Sequence, residues 1–180
     1  MDINFLENGI FINQSDYTKK ILQKFGFSQA YEASTPMDPG IITERLIDDQ
    51  ELKEVPVREI VGSLLYLSTI SRPDISFSVN FLSRHVNKPK FVHWKIIQRI
   101  FRYLRGTIEY GIFYPDERST LTIYSDANYG GDITDLNSTN GVLVEFGGPI
   151  VWISQKQKAT SISSAESEYR AAVVGIQEAC

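Results

Sequence analysis

At Gly106 the hydrophobic pattern of this chain changes period, and that change decides what it can fold into. Upstream, Ile60, Val61, Leu64, Leu65 and Leu67 give one broad helical face from about Val57. The segment Ser71–Asp74 (SRPD) breaks that helix and restarts another, with Ser71 or Asp74 as caps around Pro73, and Ile75, Val79, Leu82 and Val86 mark its apolar side. A third helix runs from Phe91 to Leu104, with Trp94, Ile97, Phe101 and Leu104 at helical spacing. Downstream the period shortens. Tyr110–Tyr114, Leu121–Ser125, Gly141–Phe146 and Ile150–Ser154 are short runs rich in β-formers, and Gly147-Gly148 signals a hairpin between the last two. Thr160–Ser163 reads as a further short strand, and Ser164 as the N-cap of a closing helix. The expectation is an α+β chain: helices first, then an antiparallel three-stranded start and one helix.

The N-terminal stretch adds a strand at Gly9–Asn13 after the Asn8-Gly9 turn signal. A helix follows with Ser15 as N-cap, carrying Tyr17, Ile21, Leu22 and Phe25 on one face and ending at Gly26. Residues 28–56 hold Pro36, Pro39 and Pro56 among many acids and read as an extended connector without a core of its own. With 180 residues, 42% hydrophobic and 22% charged, the composition is that of a folded domain or two small ones, not of a disordered chain. The single cysteine, Cys180, permits no intrachain disulfide and fits a reducing compartment. No apolar run suggests a membrane span, and the N-terminus lacks the pattern of a signal peptide. The chain opens mid-pattern and stops inside a helical stretch, so both ends read as cut.

Charge divides the chain where periodicity does. Net charge is −4, yet Arg72, Arg84, Lys88, Lys90, Lys95, Arg99, Arg102 and Arg105 face one acid, Asp74, between residues 72 and 105. Lys95, Arg99 and Arg102 fall at i, i+4 and i+7 and share one helix face. Two readings stay open: an ordinary solvated face, or a surface that tracks phosphates and binds in a salt-dependent way. Phe91, Trp94 and Tyr103 could add stacking, although their spacing also fits packing. His85 and His93 read as isolated packing or surface residues. From Tyr110 onward nine acids face four basic residues.

Within that acidic part, LTIYSDANYGGD (Leu121–Asp132) puts Asp126 at the end of a strand, just before a break rich in small and polar residues. A carboxylate there is costly unless it caps a turn, pairs or binds a metal. Glu168, one turn inside the closing helix, is the better partner for it; Glu166 is explained by a cap or dipole role. Converging carboxylates suit Mg²⁺, a hard cation often bound through one or two of them together with substrate phosphate.

Eight motifs in order then give the chain a resemblance. IVGSLLYL (Ile60–Leu67), SRPDISFSVN (Ser71–Asn80), HWKIIQRIFRYLRGT (His93–Thr107), YGIFY, YSDANYGGD, DLNSTNG (Asp135–Gly141), WISQKQ (Trp152–Gln157) and SSAESEYRA (Ser163–Ala171) closely resemble the C-terminal part of the Pol polyprotein of copia-type LTR retrotransposons. GIFINQSDYTKKILQKFGF and STPM (Ser34–Met37) fit it too. The resemblance implies a thumb- or connection-like reverse transcriptase segment over residues 1–115 and the first part of a ribonuclease H-like domain over 116–180. It implies that Asp126 and Glu168 are catalytic and metal-binding residues of a two-metal site hydrolysing the RNA strand of RNA–DNA hybrids. Mg²⁺ or Mn²⁺ is the expected cofactor of the complete site, with none bound tightly by this segment.

The same resemblance makes Arg84, Lys88, Lys90, Lys95, Arg99, Arg102 and Arg105 contacts to template–primer or hybrid backbone. It names the remainder of Pol as a partner, excludes a membrane, and implies an intracellular site of action, cytoplasmic in virus-like particles or nuclear. The chain also departs from the family. Asn128 and Tyr129 stand where Asp-Trp is usual, and Leu136 and Asn137 where a basic pair is usual. The polymerase aspartate pair is expected upstream of residue 1, since Asp48-Asp49 lies in the connector without a strand pattern, and a third nuclease aspartate on a strand after the helix. The expected function is therefore a segment of reverse transcriptase/ribonuclease H inactive on its own, or else a non-catalytic nucleic-acid-binding remnant.

Overall fold

The computed structural model describes residues 1–38, 40, 52, 54–117, 119–132 and 135–179. The fold is α+β, with two three-stranded sheets and five α-helices among the described residues. Strands β1 (Asp2–Leu6), β2 (Gly9–Asn13) and β3 (Gly111–Pro115) form the first sheet in that order; β4 (Thr122–Asn128), β5 (Thr139–Glu145) and β6 (Pro149–Lys156) form the second. The helices are α1 (Ser15–Lys24), α2 (Val57–Ile70), α3 (Ser76–Ser83), α4 (Phe91–Gly106) and α5 (Ser164–Ala179). The chain divides into two compact units, one of residues 1–4 and 12–111, the other of 5–11 and 112–180. The Asp48-Asp49 pair and Cys180 lie outside the described residues.

The first unit is built on the helical periodicity. Ile60, Val61, Leu64 and Leu67 of α2, Val79 and Leu82 of α3, and Ile96, Ile97, Ile100, Phe101 and Leu104 of α4 are buried in one apolar core with Ile21 and Leu22 of α1. Helix α1 ends as its glycine requires. Gly26 takes a left-handed φ of +81°, its N–H donates to Gln23 O, and Phe27 N–H reaches back to Leu22 O at 2.7 Å. At the other end Ser15 lies inside the helix rather than capping it; Gln14 holds the N-cap position, and the Ser15 hydroxyl reaches Asn13 Oδ1 and Glu109 Oε2.

The SRPD segment forms a 3₁₀ turn at Pro73–Ile75, and neither candidate side chain caps it. Ser71 Oγ donates to Gln14 Oε1, and Asp74 turns to Arg72 instead. Arg72 is only 1% exposed. Its Nη2 donates to Asp74 Oδ2 at 2.7 Å and Thr107 Oγ1 at 2.6 Å, and its Nη1 to Thr107 O at 2.9 Å. Tyr103 completes the cluster, donating its hydroxyl to Asp74 Oδ2 at 2.8 Å while its ring lies 5.6 Å from the guanidinium. A buried charge with five donors is tolerable only when nearly all are used, and here a carboxylate, a carbonyl and a hydroxyl use them.

In the second unit β4, β5 and β6 pair antiparallel, with Asp126 opposite Gly141 and Gly141 opposite Ser154. Gly147 (φ +75°) turns the β5–β6 hairpin, and Phe146 N–H closes it on Gly148 O. Helix α5 lies directly on this sheet. A Cβ on Gly175 would sit 2.9 Å from Ile123 Cγ2, 3.6 Å from Val142 Cγ1 and 3.9 Å from Ser125 Cβ, so only glycine allows this approach without a shift. Ser163, not Ser164, supplies the N-terminal hydroxyl: its Oγ accepts from Glu166 N–H at 3.1 Å, and Glu166 Oε2 accepts from Ile162 N–H at 2.8 Å. Thr160–Ser163 is not a strand. Those residues form the cap, with Ser161 Oγ turned to Gln157 Oε1.

Candidate functional site

Asp126 lies two residues inside β4 rather than at its end, and Glu168 one turn inside α5; both side chains are exposed. Strand alternation puts Ile123, Ser125 and Ala127 on the face that meets α5 and Asp126 on the other pleat. Glu168 precedes Gly175 by seven residues, two helical turns, so it shares the flank of α5 that lies over β4. The direction of α5 across the sheet is fixed by Gln157. Its Nε2 donates to Asn140 Oδ1 at 2.7 Å and to Ser167 O at 3.0 Å. Asn140 is the register partner of Ala127. The start of α5, with Glu168, is thereby tied to the end of the sheet where β4 carries Asp126.

Among the described residues neither carboxylate has a hydrogen-bond or ion-pair partner, so Asp126 does not cap a turn. Two unpaired carboxylates of this kind suit a hard divalent cation by donor type. No group of three or more His, Cys, Asp or Glu among the described residues is placed to hold a metal ion. Glu166 does what its position suggested: Ile162 N–H and the Arg170 guanidinium at 2.6 Å hold its carboxyl below the usual carboxylate range. Nearby, Lys156 bridges Asp132 and Asp135 (2.7 Å to the latter); burial alone would lower its pKa, and the hydrogen bonds and charges of the two carboxylates together outweigh burial and raise it.

The basic residues of the first unit fall into two groups. Arg84, Lys88 and Lys90 lie between α3 and α4, and Lys90 N–H donates to His93 Nδ1 at the start of α4. His93 is buried and its ring stacks on His85 at 4.4 Å, so the two histidines are not isolated. Lys95, Arg99, Arg102 and Arg105 follow along α4, and here the connector matters. Its residues 28–38 run along the basic face and supply main-chain acceptors: Arg99 Nε donates to Thr35 O (3.2 Å), Arg102 Nε to Tyr31 O (2.8 Å) and Arg105 Nε to Ser28 O (2.9 Å). Asp38 and Glu32 add ion pairs to Arg99 (3.6 Å) and Arg105 (3.7 Å). The connector therefore shares the first unit's core, with Met37 buried in it. Two expected contributors are closed to a ligand: Arg72 is enclosed, and Tyr103 is buried with its hydroxyl on Asp74. Gln157 was visible in the WISQKQ motif, but nothing in its residue type marked it as the tie between sheet and helix.

Comparison with known proteins places these features in a family. The chain is 40% identical over 169 residues to the Retrovirus-related Pol polyprotein from transposon RE2 of Arabidopsis thaliana, covering 90% of this chain and 11% of that polyprotein. It is 34% identical over 170 residues to the corresponding polyprotein from transposon TNT 1-94 of Nicotiana tabacum, covering 91% of the chain and 13% of the relative. It is 38% identical over 130 residues to Secreted RxLR effector protein 161 of Plasmopara viticola, covering 71% of the chain and 92% of that protein. The chain thus spans about a tenth of the length of the transposon polyproteins it matches. No protein-family model matches it, and no solved structure does. No helix among the described residues is long and apolar enough to cross a membrane. On these similarities the chain belongs to the Pol polyprotein family of copia-type LTR retrotransposons.

Proposed function

We propose that this chain is the part of a retroelement Pol that joins a reverse transcriptase thumb-like segment to the start of a ribonuclease H-like nuclease. In that reading residues 1–115 grip template–primer or hybrid backbone, and residues 116–180 contribute two carboxylates to a site that hydrolyses RNA paired with DNA. What supports the reading is the Gln157 tie, which brings the start of α5, with Glu168, to the end of the sheet where β4 carries Asp126, on the pleat opposite α5. Asp126 and Glu168 would hold Mg²⁺ or Mn²⁺, which when bound supplies positive charge to a phosphodiester under attack by water. The rest of Pol supplies the polymerase aspartates and the remaining nuclease ligands, so the chain alone has negligible cleavage activity. Its setting is the cell interior, in particles or the nucleus, where such a polyprotein copies RNA into DNA.

Lys95 and the outer edge of Arg102 are the cations of α4 left without an acidic partner among the described residues, and they support backbone contact. Binding through them is expected to weaken steeply with salt. A second reading, a non-catalytic nucleic-acid-binding remnant, is favoured by the four departures at Asn128, Tyr129, Leu136 and Asn137 around the site.

Mn²⁺ broadening of amide signals in the 180-residue chain separates the two. The nuclease reading expects Ala127 and Glu168 to broaden at millimolar Mn²⁺, with the effect removed by Asp126→Asn or Glu168→Gln. No broadening there, or broadening indifferent to both substitutions, sinks it and leaves the remnant.

A further inference from the structure

Between residues 27–38 and α4 the first unit holds an open groove of about 600 Å³, a volume in the range of small-ligand sites. Six of its lining residues matter: Tyr31, Asp38, Lys95, Gln98, Arg99 and Arg102. Asp38 is neutralised by Arg99, whose Nη1 lies 3.6 Å from it and whose Nη2 and Nε are held by Thr35. Among the described residues Arg102 uses Nε, on Tyr31 O, and both Nη groups are left for a ligand. Lys95, over the Phe91 ring at 5.8 Å, has no acid partner among the described residues. The groove therefore carries a surplus of positive charge.

Tyr31 is the feature that a plain phosphate-tracking face does not explain. Tyr31 is 89% exposed while its carbonyl is fixed by Arg102, so its aromatic side chain stands in water at a groove that two cations also line. A ring presented that way suits a flat, anionic, aromatic ligand. In a duplex the base faces are already stacked; an unpaired base offers its face.

We infer that this groove holds one nucleotide of a single-stranded nucleic acid, the base stacked on Tyr31 and its phosphate between Lys95 and Arg102. Gln98 on the groove wall is the polar group available to the base edge. The inference rests on the reading of α4 as a nucleic-acid surface and makes it specific for unpaired strand.

Fluorescence anisotropy of the 180-residue chain with labelled dT₁₂ and with a blunt 12-base-pair duplex, at low salt, tests it. Tyr31→Ala is expected to weaken dT₁₂ binding about fivefold or more and duplex binding less than twofold, with Tyr31→Phe retaining wild-type affinity. Lys95→Gln is expected to weaken both and to flatten the salt dependence of both. Because Tyr31 is so exposed, its removal leaves the thermal melt unchanged. If dT₁₂ binding is indifferent to Tyr31→Ala, or duplex binding falls equally, the single-strand site is wrong while the nucleic-acid surface stands. If neither probe binds the wild-type chain, both readings fall together.

Discussion

Gln157 and Asn140 meet at 2.7 Å, amide nitrogen to amide oxygen, and the same nitrogen also donates to Ser167 O at 3.0 Å. All three groups are buried, and the Gln157 oxygen is occupied by the Ser161 hydroxyl. One side chain thus joins β6, β5, the cap segment and α5.

Replacing it tests that role. Gln157→Glu removes the donor and sets an acidic group against two acceptors, whereas Gln157→Leu removes donor and acceptor together. Leaving buried acceptors unsatisfied costs roughly 1–3 kcal/mol. Denaturant unfolding is expected to show a loss of that size for Leu and a larger one for Glu. Amide hydrogen exchange should accelerate first in α5.

Arg72 gives the first unit a second sensitive point. Arg72→Met takes the guanidinium from Asp74, Thr107 O and Thr107 Oγ1 in one step, leaving Asp74 with only the Tyr103 hydroxyl among the described residues. Breaking a buried ion pair by removing one partner costs about 3–5 kcal/mol, and the partial exposure of Asp74 places this case toward the lower end. Arg72→Lys keeps the charge but cannot reach three acceptors from one plane, so its melting temperature should lie near that of Met rather than that of wild type.

Tyr103 yields a pH dependence. Burial, then the hydrogen bond to Asp74 and its negative charge, push the phenol up to about 12 from 10.0. A raised folded-state pKa means the contribution is whole below pH 10 and is lost as pH climbs toward 12, because only the unfolded chain gives up its proton in that window. Stability measured from pH 9 to 12 should fall more steeply for wild type than for Tyr103→Phe. Equal slopes would show that the phenol does not titrate differently in the two states.

Much of the helical part was legible because burial there follows spacing. Ile97, Phe101 and Leu104 were read as one face and are fully buried, and the β5–β6 hairpin follows its two glycines. Most of what escaped had no periodic signature. The connector is held on α4 by arginine bonds to main-chain carbonyls, and a carbonyl looks the same under every residue. Like charges on that helix suggested a polyanion; part of their neutralisation comes instead from peptide dipoles, Asp38 and Glu32. Arg72 belongs to the basic run by residue type, which gives no hint that it is enclosed. Strand β1 was not read although Asp2, Ile3, Asn4 and Phe5 alternate, and in the fold it is exposed throughout. The sequence placed Asp126 at a strand end, but pairing with β5 runs through Ala127 and Asn128, weak β-formers that the partner strand carries along. Ser164 reads as the N-cap by residue type, yet it is the adjacent Ser163 hydroxyl that meets the Glu166 N–H.

Strand β4 has a partner on one side only among the described residues. Seven residues there leave a row of main-chain donors and acceptors open, with Leu121, Ile123 and Tyr124 exposed and no proline or lysine to discourage pairing. Proteins normally blunt such edges, so this one is adhesive. In handling the chain, concentration becomes the controlling variable: self-association should begin at β4, and Tyr124→Lys, on the pleat away from α5, should hold the protein in solution.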